Sequence, residues 1–261
     1  MNEALLCVEK LSAGYRSGFH LEDISFCLHE SSLTGVIGPN GAGKSTLLNA
    51  LCHELSATGS VKVCGEELWT MPPRRRARFI AYVPQSIDKS PTKLLDFVLS
   101  GRTPFKKWYE LSHSEQDREI ALKNLEMVGL CGFDPLQKRI DELSGGERQL
   151  AAIARALCQE ARVLLLDEPT ANLDLAHQIR ILRTIRHITE QNRAATLLVM
   201  HDLNLAAAFC NSLLCLCEGK KVAYGNVSEI LQKERLESIY KTPLCIGSHP
   251  QNGVPVVFPL Y

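Results

Sequence analysis

The sequence predicts an α/β fold with a mainly parallel sheet, an antiparallel β edge at its N-terminus and an inserted helical subdomain. Three observations carry this reading. First, the apolar runs LTGVIG (33–38), VLLL (163–166) and TLLVM (196–200) each end in polar residues. Runs apolar at nearly every position suit parallel strands buried on both faces. Second, helical periodicity lies between two of them, where ILRTIRHI places Ile181, Ile185 and Ile188 on one face. Third, the opening LLCVEKLSAGYRSGFHLEDISFCL alternates short strand-like runs with Gly and Ser turns, the pattern of antiparallel strands.

Taken in chain order, the antiparallel edge leads into the LTGVIG strand, which runs into GPNGAGKST and a helix start. FIAYVP is a further core strand, ending at Gln85. From about 86 to 160 helical signals interrupt the βα alternation. Within that stretch Ser112 and Glu115 have capping-box spacing, Ala121, Leu125 and Val128 form an apolar stripe, and Gly129 ends the helix. The last stretch, SHPQNGVPVVFPLY, is rich in Pro and Gly and reads as an irregular surface tail. Residues 1–261 thus form one domain: a core of 1–85 and 161–240, a helical subdomain of 86–160 and a C-terminal tail of 241–261.

Composition narrows the function classes. The chain has 261 residues, 29 basic and 29 acidic, so a net charge of 0 gives no general argument for a nucleic-acid partner. No apolar run approaches the roughly 18–20 residues that span a bilayer, and MNEALLCVEKL lacks the basic and long apolar regions of a signal peptide. A cytoplasmic location is expected. The ten cysteines then read as reduced thiols, and Cys215 and Cys217, on one face of a strand, read as small buried hydrophobes, with a metal or redox site as the alternative.

Several residues point to phosphate chemistry. GPNGAGKST fits G-x-x-x-x-G-K-[ST] between a strand and a helix. Gly38, Gly41 and Gly43, with Pro39, Asn40 and Ala42 between them, let successive N–H groups curl around phosphate oxygens. Lys44 adds a cation, the Ser45 hydroxyl is a hard ligand suited to Mg²⁺, and Thr46 closes the motif. Asp167 and Glu168 end the VLLL strand; an acid there can hold Mg²⁺ and its neighbour can deprotonate a water, although adjacent acids at a strand end also suit a solvated turn. His201, after TLLVM, could donate to a γ-phosphate oxygen or help hold the water. Gln85, by the same logic, could meet the Mg²⁺ or the water through its amide. Tyr15 can stack on an adenine or pack on its own strand. LSGGERQL (143–150) opens a second helix with Ser144, Gly145 and Gly146, bare backbone that something must approach closely.

With these pieces in one order, the chain resembles the ATP-binding subunits of ABC transporters over almost its full length. Tyr15 matches the A-loop aromatic, GPNGAGKST the Walker A motif, Gln85 the Q-loop, LSGGE the signature, VLLLDEP Walker B, ANLD the D-loop and His201 the switch histidine. The resemblance implies a P-loop NTPase core using ATP and Mg²⁺. It also implies a head-to-tail homodimer in which Ser144, Gly145 and Gly146 meet the γ-phosphate held by a second copy, with Asp174 across the same interface. Separate transmembrane permease subunits, and indirectly a substrate-binding protein, are implied partners; the place of work would be the cytoplasmic face of the cell membrane. The segment after Gln85, SIDKSPTKLLDFVLSGRTPF, is the expected permease contact, with a bland solvent-facing loop as its alternative.

A finer resemblance, to importers of iron-siderophore, haem or cobalamin type, rests on VLSGRTPFKKWYELSHSEQD, LDLAHQ, HDLNLAAAFC and SHPQNGVPVVFP. The ATPase of another importer or of an exporter uses the same motifs, and a soluble ABC protein outside transport is a further alternative. Ser31 and Ser32 stand where relatives often carry a glycine-acid turn, and Leu150 where a basic residue is common. Arg74, Arg75, Arg76 and Arg78 form a basic cluster that suits a solvated turn better than a lipid contact.

Overall fold

The computed structural model describes residues 4–260, apart from 16, 17, 108–111, 131, 133 and 135. Contacts gather the chain into two compact units, one made of residues up to Thr70 together with those from Thr189 onward, the other Met71–Ile188. Residues 108–111 of the VLSGRTPFKKWYELSHSEQD stretch lie outside the described residues.

The first unit begins with the expected antiparallel edge. β1 (Ala4–Gly14) pairs with β2 (His20–His29) on one side and β4 (Ala57–Val63) on the other, and β5 (Glu66–Glu67) extends β4. Leu6, Val8 and Leu11 of β1 and Leu21, Ile24 and Leu28 of β2 are buried, so one face of this ribbon is core. β3 (Ser32–Ile37) is buried from Leu33 onward, and α1 (Lys44–Leu51) follows it.

In the second unit, α2 (Pro73–Arg76) starts with proline, whose missing N–H costs nothing in a first helical turn. β6 (Ile80–Val83) and β7 (Val163–Leu166) are parallel neighbours, Val83 opposite Leu166. The helices α3 (Leu94–Leu99), α4 (Glu115–Met127) and α5 (Gly145–Leu157) pack on one another, burying Leu95, Val98, Ala121, Leu125, Leu150 and Ile153. Gly129 ends α4 with φ +78, as expected. The cap differs from the sequence reading. Ser114, not Ser112, is the N-cap: its hydroxyl accepts the Asp117 N–H at 3.1 Å, and Asp117 accepts the Ser114 N–H at 3.1 Å. The box closes on Asp117 rather than Glu115 because Arg102 holds that carboxylate from outside the helix, at 2.8 Å. α6 (Leu175–Gln191) buries Ile181, Ile185 and Ile188, the predicted face.

The chain then completes the first unit. β3 lies between β8 (Ala195–Val199) and β9 (Ser212–Cys217) and runs parallel to both, with α7 (Leu203–Phe209) joining β8 to β9 in sequence. β10 (Lys220–Asn226) returns antiparallel to β9 and meets β2, giving the order β5-β4-β1-β2-β10-β9-β3-β8 within this unit. α8 (Val227–Ile230) and α9 (Lys233–Tyr240) follow.

The irregular-tail reading is overturned. β11 (Leu244–Ser248) and β12 (Pro255–Pro259) form an antiparallel hairpin, turning through Gly253 at φ +70. Pro255 and Pro259 sit at the ends of β12, where a two-stranded hairpin can spare donors, and bracket the strand formers Val256, Val257 and Phe258. Asn204 of α7 fastens the hairpin through both amide groups, accepting the Val257 N–H at 2.8 Å and donating to its carbonyl at 3.2 Å. Among the described residues no helix is long and apolar enough to cross a membrane.

Candidate nucleotide site

In the first unit the phosphate loop is built where β3 stops. Gly38 has φ +149, and a Cβ there would lie 2.1 Å from the Leu216 carbonyl oxygen of β9, so only glycine lets the two backbones approach. Gly43, the left-handed N-cap of α1 at φ +99, is pressed by Leu21 and Phe19, whose side chains would meet a Cβ at 2.6 and 2.8 Å. Pro39, Asn40, Gly41 and Ala42 form the turn between, closed by the Ala42 N–H on the Pro39 carbonyl at 3.1 Å. Lys44 is buried and its ammonium donates to the carbonyls of Gly38 and Pro39 at 2.9 and 3.0 Å, which holds the cation across the loop. Ser45 is exposed in the first turn of α1, while Thr46 is buried. The amino terminus of a helix carries the positive end of its dipole and favours an anion.

Two more predicted residues belong to the same unit. β8 runs parallel beside β3, Val199 opposite Val36, so His201 emerges at the sheet edge from which the loop springs. Tyr15 follows β1 with its ring 40% exposed, and its hydroxyl accepts from Asn49 of α1 at 3.3 Å. The ring is therefore placed against the helix that the phosphate loop opens, rather than on its own strand alone. Tyr240 of α9 escaped the sequence reading. Burial raises its pKa, and its hydroxyl oxygen accepts the Gly38 N–H, steadying the start of the loop from about two hundred residues away.

In the second unit Asp167 follows β7 and is buried, its N–H bonded to the Val83 carbonyl at 2.9 Å. Tyr82 of β6 points its hydroxyl at the Asp167 carboxylate over a long 3.5 Å, another contact that sequence did not suggest. Glu168 adopts φ +45, uncommon for a residue with a side chain. The bend brings its carboxylate to the Gln85 amide, which donates at 2.7 Å. Gln85 and Glu168, 83 positions apart, are thus in direct contact.

Ser144 caps α5 through a capping box. Its hydroxyl accepts the Glu147 N–H at 3.3 Å and Glu147 accepts the Ser144 N–H at 2.7 Å. Burial opposes ionisation of Glu147, but the two Ser144 bonds, with Lys138 and Arg180 further off, outweigh it and lower its pKa. Gly145 is exposed, and a Cβ on Gly146 would lie 3.3 Å from the His177 ring. Asp174 accepts from the His177 backbone N–H at 2.9 Å and faces its ring Nδ1 at 2.8 Å. The His177 bonds, backbone first, lower the Asp174 pKa. Gln85, Gly145, Gln149, Pro169, Asn172 and Leu173 line one cavity of about 170 Å³, so the residues after the β6 strand, the LSGGE turn and the segment before Asp174 share a wall.

The oxygen donors within each unit are hard ones: in the second, the carboxylates of Asp167 and Glu168 and the Gln85 amide oxygen; in the first, the Ser45 hydroxyl. Such donors fit Mg²⁺, which keeps several waters and takes further ligands from phosphates. No group of three or more His, Cys, Asp or Glu among the described residues could cage an ion without a substrate.

Comparison with known proteins agrees with this chemistry. Residues 21–171 match the family described as ABC transporter. A hemin import ATP-binding protein of Pseudomonas fluorescens is 38% identical over 247 residues, covering 91% of this chain and 92% of its own. A cobalamin import ATP-binding protein of Halobacterium salinarum is 35% identical over 242 residues, 92% of this chain, which spans only 60% of that protein's length. A solved structure described as an inward-facing metal-chelate type ABC transporter superposes with a TM-score of 0.86 at 28% identity, covering 99% of this chain and 98% of that one. The phosphate loop, the paired acids after β7 and these likenesses agree: the chain belongs to the ABC transporter family and is one of its ATP-binding, ATP-hydrolysing subunits.

Proposed function

We propose that this ATPase powers uptake of a metal chelate, of iron-siderophore, haem or cobalamin type, through a separate transmembrane permease. The observation that carries the reading is the near full-length likeness to a hemin import ATP-binding protein and to a metal-chelate type transporter. The working form is a head-to-tail homodimer at the cytoplasmic face of the cell membrane, held there by the permease. A substrate-binding protein delivers the chelate and does not touch this chain.

In that dimer each ATP lies between the loop Gly38–Thr46 of one copy and Ser144, Gly145 and Gly146 of the other. Lys44 and the N–H groups of the loop take the β- and γ-phosphates, and Tyr15 stacks on the adenine. Ser45, Gln85 and Asp167 would hold Mg²⁺, which would offset the negative charge of the phosphates. Glu168 takes the proton of the attacking water, Gln85 aligns that carboxylate, and His201 donates to the γ-phosphate. Asp174 reaches across the interface, so each site depends on the other copy. Residues 86–160 pass the closing motion to the permease through Gln85 and the segment 86–105.

Deletion of the gene, followed by uptake of labelled haem, ferric siderophore and cobalamin, tests the reading. Loss of uptake of one of the three, restored by the gene on a plasmid, is the expected result. Unchanged uptake of all three would overturn it.

A further inference from the structure

β1 and β2 bring two cysteines face to face. Cys7 and Cys27 are directly opposed partners in the antiparallel ladder, so both side chains leave the sheet on the same side. Opposed Cα atoms in such a ladder lie about 4.5–5.5 Å apart, within the roughly 4.4–6.8 Å that a disulfide bridges. The two thiols are close enough for each to influence the other's ionisation. Both residues are half-buried, open enough for a small solute. Lys62 opposes Cys7 from β4, which sets an ammonium-bearing side chain on that face, paired with Glu9 at 3.9 Å.

No other described cysteines oppose each other in a strand ladder. Cys215 and Cys217 stand two apart on β9 with parallel side chains, the wrong direction for a bridge. Cys158 and Cys210 are buried against Asn124 and Met200. A soft-metal site is not supported by the ligand count, since among the described residues no third His, Cys, Asp or Glu completes a set with the pair.

We propose that Cys7 and Cys27 are a redox-active dithiol that a peroxide converts into a cross-strand disulfide and a thiol reductant reopens. The Cys7 sulfur attacks one oxygen of hydrogen peroxide, the O–O bond breaks, and a sulfenic acid forms with release of one water. The Cys27 sulfur then attacks the Cys7 sulfur, the S–O bond breaks and a second water leaves. One S–S bond replaces two S–H bonds, and the peroxide takes up the two electrons. Burial and then the Cys7 contact hold Cys27 protonated, with its pKa pushed up to about 12, so Cys27 is not the thiol that attacks the peroxide. The bond ties together the two strands that carry Tyr15 at their far end.

The test uses the full chain, reduced, desalted, exposed to a small molar excess of hydrogen peroxide, blocked with N-ethylmaleimide and digested with trypsin. The expected product is a linked pair of peptides, Met1–Lys10 with Ser17–Lys44, that dithiothreitol separates. C7S should abolish the pair and leave Cys27 alkylated, whereas C27S should strand Cys7 as a sulfenic acid that dimedone captures. The proposal is overturned if Cys7 and Cys27 remain alkylated at a peroxide dose that oxidises the exposed Cys64. It is equally overturned if a mixture of isotopically light and heavy protein shows that the link joins two chains.

Discussion

Replacing Arg102 with methionine should cost this protein about 3 kcal/mol of stability. The guanidinium is 7% exposed and bonds the carboxylates of Asp117 and Glu160 at 2.8 and 2.7 Å, the Cys158 carbonyl at 2.8 Å, and the face of Phe105, 3.9 Å from its centroid. Methionine keeps the apolar stem and removes every donor. Removing one partner of a buried ion pair costs about 3–5 kcal/mol. The lower end applies because the Glu160 side chain is 54% exposed and returns to water, leaving Asp117 and the Cys158 carbonyl as the stranded groups. With a urea m-value near 3 kcal/mol/M, the unfolding midpoint should fall by about 1 M. R102K keeps the charge but not the fork and should lose roughly half as much.

The pH dependence gives an independent check. Burial opposes ionisation of Asp117, but the Arg102 and Ser114 hydrogen bonds outweigh it and lower its pKa in the fold. A lowered carboxylate contributes stability that is present above its unfolded pKa of about 3.9 and lost as pH falls through the folded value. The gap between wild type and R102M should therefore be constant from about pH 6 to 8 and narrow below about pH 4. A midpoint shift under about 0.3 M, or a gap that widens in acid, would refute the ion-pair account.

Glu168→Gln should lower phosphate release by at least roughly a hundredfold while nucleotide titration shows binding intact; normal turnover would remove Glu168 from the base role. Lys44→Ala should weaken ATP binding itself, by about tenfold or more, because it deletes the only side-chain cation in the loop Gly38–Thr46 and its bonds to the Gly38 and Pro39 carbonyls. Unchanged affinity in calorimetry would count against that loop as the phosphate site. Ser144→Arg should leave ATP binding to the isolated monomer intact and block both dimer closure and hydrolysis. Lost binding with normal dimerisation would place both motifs on one nucleotide within a single chain.

What the sequence by itself determined was everything written in local pattern. The runs now seen as β3, β7 and β8, the Ile181–Ile185–Ile188 face and the glycines of GPNGAGKST each depend on neighbours a few residues away, so periodicity and spacing reveal them. Only the tertiary structure decided which distant groups meet. Ser114 became the α4 cap because Arg102 holds Asp117 from fifteen positions away, and Tyr240 steadies Gly38 from another part of the chain. The hairpin at the C-terminus is a strand pair because Val257 finds the Asn204 amide, 53 residues upstream. Cys7 and Cys27 are neighbours because β1 and β2 pair in one register and not another. Such contacts join single polar or sulfur atoms across long sequence separations, and one chain without its fold carries no periodic trace of them.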